Sequence, residues 1–262
     1  EYQINDRMSF MRFLGINLCE KVPDAKTIWK FKNDLAETET VDKLFCMFDE
    51  HLENKGLISH KGTIVDATFV DAPRQRNSRD ENKKIKNGVI PEEWEKPENK
   101  SKLAQKDIDA DWTKKNGERH FGYKDHVKCD ADSKLITNYS VTSASVHDSQ
   151  RCLVFIGQED EVLYADSAYS GKPIALALPE NCKNQICEKG YRNSPLTSEQ
   201  KMNNRRKSRI RCRIEHIFGF MTGAMHGITI RSIGITRAWM NIGITNLVYN
   251  FCRYSYLKRA SA

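Results

Sequence analysis

The 262-residue chain is 39% hydrophobic and 29% charged, which excludes a collagen-like or wholly disordered polymer and leaves enough apolar side chains for a sizeable core. No apolar run reaches the roughly 18 to 20 residues a membrane helix requires, and the opening EYQINDRMSF lacks a secretory signal's apolar stretch; a soluble cytoplasmic chain with no membrane partner is expected. The net charge of +7 conceals an asymmetry: residues 201–262 hold twelve Lys or Arg and one acid, Glu215, so the expected partner is a polyanion such as nucleic acid, with a solvated helix face as the bland alternative.

In chain order, residues 1–58 read as a small helical domain for DNA binding or assembly, truncated because the chain opens on Glu1 rather than Met. Three apolar stripes mark its helices: Phe10, Phe13, Leu14 and Leu18; Ile28, Trp29, Phe31 and Leu35 after a start at Pro23-Asp24; and Val41, Leu44, Phe45, Phe48 and Leu52, stopped by Gly56. From Gly62 the β-branched run TIVDATFV predicts a strand. Residues 73–118 then hold nine apolar side chains in 46, too few for a core, and read as a polar excursion whose Trp94 and Trp112 either stack on nucleic acid or pin the segment down.

Residues 120–142 predict a hairpin around DADSK, followed by a helix from about Asp148 burying Leu153, Val154 and Ile156, and a short strand, VLYA, ending at Asp166. A helix over 172–178, an extended stretch near 183–188 and a long helix from Thr197, with Thr197 and Gln200 as its capping box, complete a catalytic domain over 59–235; residues 236–262 form a C-terminal helix. This order, antiparallel first and parallel last, is that of a ribonuclease H-like α/β sheet with flanking helices, preceded by the small all-α domain. The eight cysteines lack paired CxxC spacing and are expected to be reduced, mostly buried thiols, with a zinc site through Cys182 and Cys187 a weak alternative.

Three carboxylates stand where the apolar pattern opposes them. Asp66 interrupts one strand, Asp166 ends another, and Glu215 lies beside the helical stripe of Ile210, Ile214, Ile217, Phe218 and Met221. A buried lone carboxylate costs several kcal/mol, so each needs a metal, a cation or donated hydrogen bonds; for either aspartate alone, a strand-end turn or helix cap is the structural alternative. Taken together they suit two Mg²⁺ ions, with Mn²⁺ as a substitute, about 3.5 to 4 Å apart and active in phosphodiester cleavage and transfer. The basic helix before Glu215 supplies Arg205, Arg206, Lys207, Arg209, Arg211 and Arg213 as phosphate contacts, with Lys124 from the hairpin.

The strings VDAT (65–68), HFGYKDH (120–126), TSASVHDS (142–149), YADSAYSG (164–171) and RCRIEHIFG (211–219) together resemble the DDE transposases of bacterial insertion sequences, in the IS-four/IS-five group. The resemblance implies a catalytic triad on Asp66, Asp166 and Glu215, an arginine at position 211 four residues before the glutamate, and a supporting role for His147 and Asp148. It also implies strand cleavage at terminal inverted repeats, transfer into target DNA, a homodimer holding two ends, and residence on the bacterial nucleoid. Ser208 and Thr222 stand where many relatives carry Tyr and Lys. A catalytically silent or domesticated DNA-binding remnant and a structure-selective nuclease of the same fold are the competing readings.

Overall fold

The computed structural model describes residues 1–115 and 117–260. Its sheet is organised by the hairpin the sequence predicts: β3 (Glu118–Asp130) turns through Asp132 to Lys134 into β4 (Ile136–Ser143). Asp130 makes that turn by accepting hydrogen bonds from the backbone N–H groups of Asp132 and Ser133 and from the Ser133 hydroxyl, local bonding that Asp and Ser side chains offer readily. β1 (Thr63–Asp71) lies antiparallel along the other edge of β3, with Asp66 opposite Val127. β5 (Val162–Tyr164) runs parallel to β1, with Ile64 opposite Tyr164, and β6 (Lys183–Asn184) runs parallel to β5. Strand β2 (Asp111–Lys115) joins the start of β3. The order β4-β3-β1-β5-β6, antiparallel on one side of β1 and parallel on the other, is the expected ribonuclease H-like arrangement.

Alternation along β1 builds two cores. Ile64 and Val70 meet α4 (Thr40–Asn54), α11 (Arg213–Gly223) and α12 (Ile235–Ala260), with Phe45, Val127, Ile214, Ile217 and Ile242 buried among them. Val65 faces the other way, onto Phe155 of α8 (Ser149–Phe155) and Ile174 of α9 (Lys172–Ala177). In α8 the buried residues are Cys152 and Phe155; Leu153 and Val154 are exposed and Ile156 is only partly buried. The short helix thus turns a different face inward from the one its apolar run suggested.

The first two apolar stripes also depart from expectation. α1 (Tyr2–Asp6) buries nothing and α2 (Met8–Leu14) only Met11, leaving Phe13 87% exposed beside exposed Phe10, Leu14 and Leu18. In α3 (Ala25–Glu37), capped by the Asp24 carboxylate on the Thr27 N–H, Ala36 packs with Val41 and Met240 while Ile28, Trp29 and Phe31 stay exposed. Periodicity reports an amphipathic surface, and no described element covers this one. The third stripe is buried through Val41, Phe45 and Leu52, with Leu44 exposed, and Gly56 takes the left-handed conformation (φ 66°) past the helix end.

The excursion is more ordered than its composition predicts. It folds as α5 (Arg79–Lys86), α6 (Glu92–Glu95) and α7 (Lys100–Ala104) before β2. Trp94 is 0% exposed, its indole N–H donates to Glu81 at 2.8 Å, and the ammonium groups of Lys102 and Lys106 lie 5.3 Å from its ring. Stacking of Trp94 on nucleic acid is therefore excluded in this arrangement, and Trp112 packs on Phe121. One indole, a capping box at Ser78 and cation–π contacts replace a conventional core.

All eight cysteines are free; Cys129, Cys152, Cys182 and Cys187 are buried, whereas Cys19, Cys46 and Cys252 are exposed and Cys212 is intermediate. Among the described residues no helix is long and apolar enough to cross a membrane.

Candidate active site

Asp66 sits at the middle of β1, held by its own neighbour: the Ala67 N–H donates to its Oδ1 at 2.8 Å. Continuing the parallel register of Ile64 and Tyr164 by two residues on each strand brings Asp66 alongside Asp166. Asp166 lies just past β5, where its Oδ1 accepts from the Ala168 N–H at 2.7 Å. The cap that served as its structural alternative is thus real, and it leaves the other carboxylate oxygen for another partner.

Glu215 arrives from the helical layer. The predicted long helix is divided at Cys212 into α10 (Ser198–Arg211), with the Thr197–Gln200 capping box in place, and α11. Ile214, Ile217 and Met221 anchor α11 in the core, so Glu215, in its first turn, lies at the sheet side with 59% of its side chain exposed. Arg211 joins two of the acids: its Nη1 is 2.8 Å from Asp66 Oδ2 and its Nη2 is 2.9 Å from Glu215 Oε1. One guanidinium and two hydrogen bonds therefore span the gap between strand and helix.

The electrostatics agree with that convergence. Burial, then the charge of Asp166, raises the Asp66 pKa against the opposing pull of the Ala67 N–H and Arg211. Burial works against the Arg211 charge, but Asp66, Glu215 and Asp166 outweigh it and raise its pKa. Arg211 bonds two of the three carboxylates, and Lys115 adds a further positive charge near Asp66; the acids are oxygen donors of the kind hard divalent ions take, so the residues fit Mg²⁺ or Mn²⁺.

Among the described residues the one His/Cys/Asp/Glu group with donor atoms mutually within 4.8 Å is His60, Glu159 and Asp160. It lies by the start of β1, where Asp160 accepts from the Thr63 hydroxyl at 2.6 Å, and it already holds a cation: Lys128 Nζ is 2.9 Å from Asp160 and 3.6 Å from Glu159. That group reads as a satisfied ion-pair network at the end of the strands opposite Asp166.

The basic residues divide. Arg205, Arg206 and Arg209 are exposed along α10. Lys207 turns inward to the Ile186 carbonyl and Glu188, Arg213 to the Ala131 carbonyl and Asp132, and Lys124 is buried against Asp148 and the Val146 carbonyl, both at 2.7 Å. Asp148 thus pairs with Lys124, while His147 Nδ1 accepts from the Ser149 N–H at 3.3 Å at the start of α8. Missed in the sequence are His126 and Tyr169. His126 is fully buried beside Thr142, and burial lowers its pKa to about 4. The Tyr169 hydroxyl is buried without a partner within reach of the Asp66 and Asp166 charges. Both fall inside strings that carry the family resemblance, HFGYKDH and YADSAYSG, which was the one signal that could have singled them out.

A family model described as a transposase DDE domain matches residues 58–251, and a second, described as Transposase domain (DUF772), matches residues 1–34. A solved structure of a piggyBac transposase synaptic complex with hairpin DNA aligns over 75% of this chain and 48% of that one, at 8% identity and a TM-score of 0.39. The chain spans about half the length of that protein. With a model of the DDE domain covering most of its length, the chain belongs to the transposase DDE domain family.

Proposed function

We propose that the protein is a DNA transposase in which Asp66, Asp166 and Glu215 hold two Mg²⁺ ions, or Mn²⁺ in their place, to cut phosphodiester bonds at the terminal inverted repeats of an element and join the freed end to target DNA. The observation that carries this reading is the shared guanidinium of Arg211 between Asp66 and Glu215, beside Asp166. When bound, the ions supply activation of a water or a 3′-hydroxyl and stabilise the leaving oxygen of an in-line displacement.

The chain's own residues do the rest. Asp66 offers an oxygen from β1, Asp166 from just past the adjacent β5, and Glu215 offers its carboxylate from the helix. Arg211 compensates the acids and has a second use as a phosphate ligand, since a guanidinium fork matches carboxylate and phosphate alike. The exposed Arg205, Arg206 and Arg209 meet the duplex backbone; Lys124, His147 and Asp148 support the β4–α8 junction. Residues 1–58 serve DNA binding or assembly, 59–235 catalysis and 236–262 helical support, and a homodimer on the nucleoid holds two element ends.

The test is cleavage of a duplex bearing the element's terminal repeat, with Mg²⁺ or Mn²⁺. Asp166→Asn is expected to lower strand cleavage by on the order of 10³-fold, from the several kcal/mol that bound metal contributes, while DNA binding persists. Undiminished cleavage by that variant rules out its metal role, and cutting at junctions with no joined product favours a nuclease.

A further inference from the structure

Away from the three acids, the loop that follows β1 opens onto a cavity of about 620 Å³ lined by Arg74, Lys102, Lys106 and Arg231. Its one acidic side chain, Asp107, is already spent: the carboxylate accepts from the Tyr123 hydroxyl at 2.8 Å and from the Asp109 and Ala110 N–H groups. Two of the cations are braced at the wall. Lys106 donates to the Arg76 carbonyl and to Asn77, and Lys102 stands 3.6 Å from Glu81, both beside the Trp94 ring. Gln75 adds an amide whose buried oxygen has no partner in the described chain.

A second cavity, of about 300 Å³, borders the first, with Arg231 and Ser232 lining both, so that the two form a groove around those residues. It runs on past Lys32 and Arg237 to Trp29, which is 63% exposed, and no acidic residue lines it. The positive charges thus come from the loop after β1, α7 and the residues just past it, the segment before α12, the first turn of α12, and α3. A small anion is bound by donors converging on one point, whereas charges strung along a groove match a polymer with regularly spaced phosphates.

We propose that this groove is a second DNA track, separate from the α10 arginines, that grips the backbone of duplex DNA flanking the reacting end. The inference rests on the transposase reading above. β1 continues five residues beyond Asp66 to Asp71, about 16 Å at roughly 3.3 Å per strand residue, and Arg74 follows three residues later. A span of about 16 Å corresponds to roughly five base pairs from the cut, at about 3.4 Å per base pair.

The experiment measures binding of the wild-type chain to a terminal-repeat duplex with ten flanking base pairs, by fluorescence anisotropy over a KCl series. The triple variant Lys32→Ala/Arg74→Ala/Arg231→Ala is expected to weaken binding at least tenfold and to reduce the salt slope by about 2 to 3, roughly 0.9 for each phosphate no longer neutralised. The charge-keeping variant Lys32→Arg/Arg74→Lys/Arg231→Lys should bind like wild type. In unmutated protein, the same DNA should shield Lys32 and Lys102 from acetylation by acetic anhydride, a readout independent of variant folding. An unchanged slope with no shielding, in a wild-type chain that binds the duplex, overturns the groove alone. A wild-type chain that binds no DNA overturns the transposase reading and the groove with it.

Discussion

At the scale of one residue, the three proposed acids stand out in the sequence, and Arg211 joins two of them in the fold. Asp66 and Asp166 stood out because a carboxylate in an apolar strand demands a partner, and Glu215 because it was alone among twelve cations. What no sequence reveals is which cations are taken. Lys124, Lys207 and Arg213 look like phosphate contacts in the chain, yet backbone carbonyls and acids from distant segments claim them. Arg211 itself stands between two candidate metal ligands, so it competes with a metal for them. Arg211→Ala is therefore expected to tighten Mn²⁺ binding in the absence of DNA by roughly tenfold, as removal of a nearby positive charge should, while DNA cleavage falls. Paramagnetic resonance titration of free Mn²⁺ reads this, and an affinity that stays level or weakens would show that the guanidinium does not compete.

Among the elements, strand and hairpin positions were legible because β-branched runs and Asx turns are local signals, whereas the coverage of a helix is not local. The apolar stripes of α2 and α3 and that of α4 look alike in sequence, yet α4 packs on the sheet and α12 whereas α3 meets Met240 of α12 through Leu35 and Ala36 and leaves Ile28, Trp29 and Phe31 exposed. The excursion shows the reverse: a segment too polar for a core is folded around Trp94. Trp94→Ala should cost about 3 to 5 kcal/mol locally and raise the rate of tryptic cleavage between residues 79 and 106 by roughly 100-fold. Thermal unfolding of the sheet should move little, because Trp94 lies outside its two apolar cores. Equal losses in both measurements would mean that the excursion is part of the main cooperative unit.

Across the molecule, α12 is fastened to the sheet by polar groups buried in an apolar layer. Asn250 bonds both the N–H and the carbonyl of Ile136, and Asn246 donates to Asp125 Oδ1 at 3.2 Å. Asp125 is 0% exposed; its Oδ2 and the Asn246 Oδ1 both lack partners, which a proton on Asp125 would let them become. Burial lifts the Asp125 pKa from 3.8 to about 7, with the Asn246 bond opposing. The unfolded chain loses this proton near pH 4 and the folded one near pH 7, so the stabilisation is complete below pH 4 and lost as pH rises through 7. Asp49, also raised to about 7 by burial, acts in the same direction. Asp125→Asn is expected to flatten the fall in Tm between pH 5 and 8 without abolishing it, and to raise Tm by a few degrees at pH 8. A variant less stable than wild type at pH 8 would refute the buried-proton account.

The break at Cys212 has a mechanical outcome. Glu215 belongs to a rod bolted into the hydrophobic layer by Ile214 and Ile217, while Arg211 ends a different rod whose outer face carries Arg205, Arg206 and Arg209 and which buries no side chain completely. On the reading proposed above, a duplex drawing on those arginines would pull the guanidinium latch from Asp66 and Glu215 and leave those carboxylates where they are. Substrate docking and the freeing of the two acids would then be geared together through a single turn of backbone.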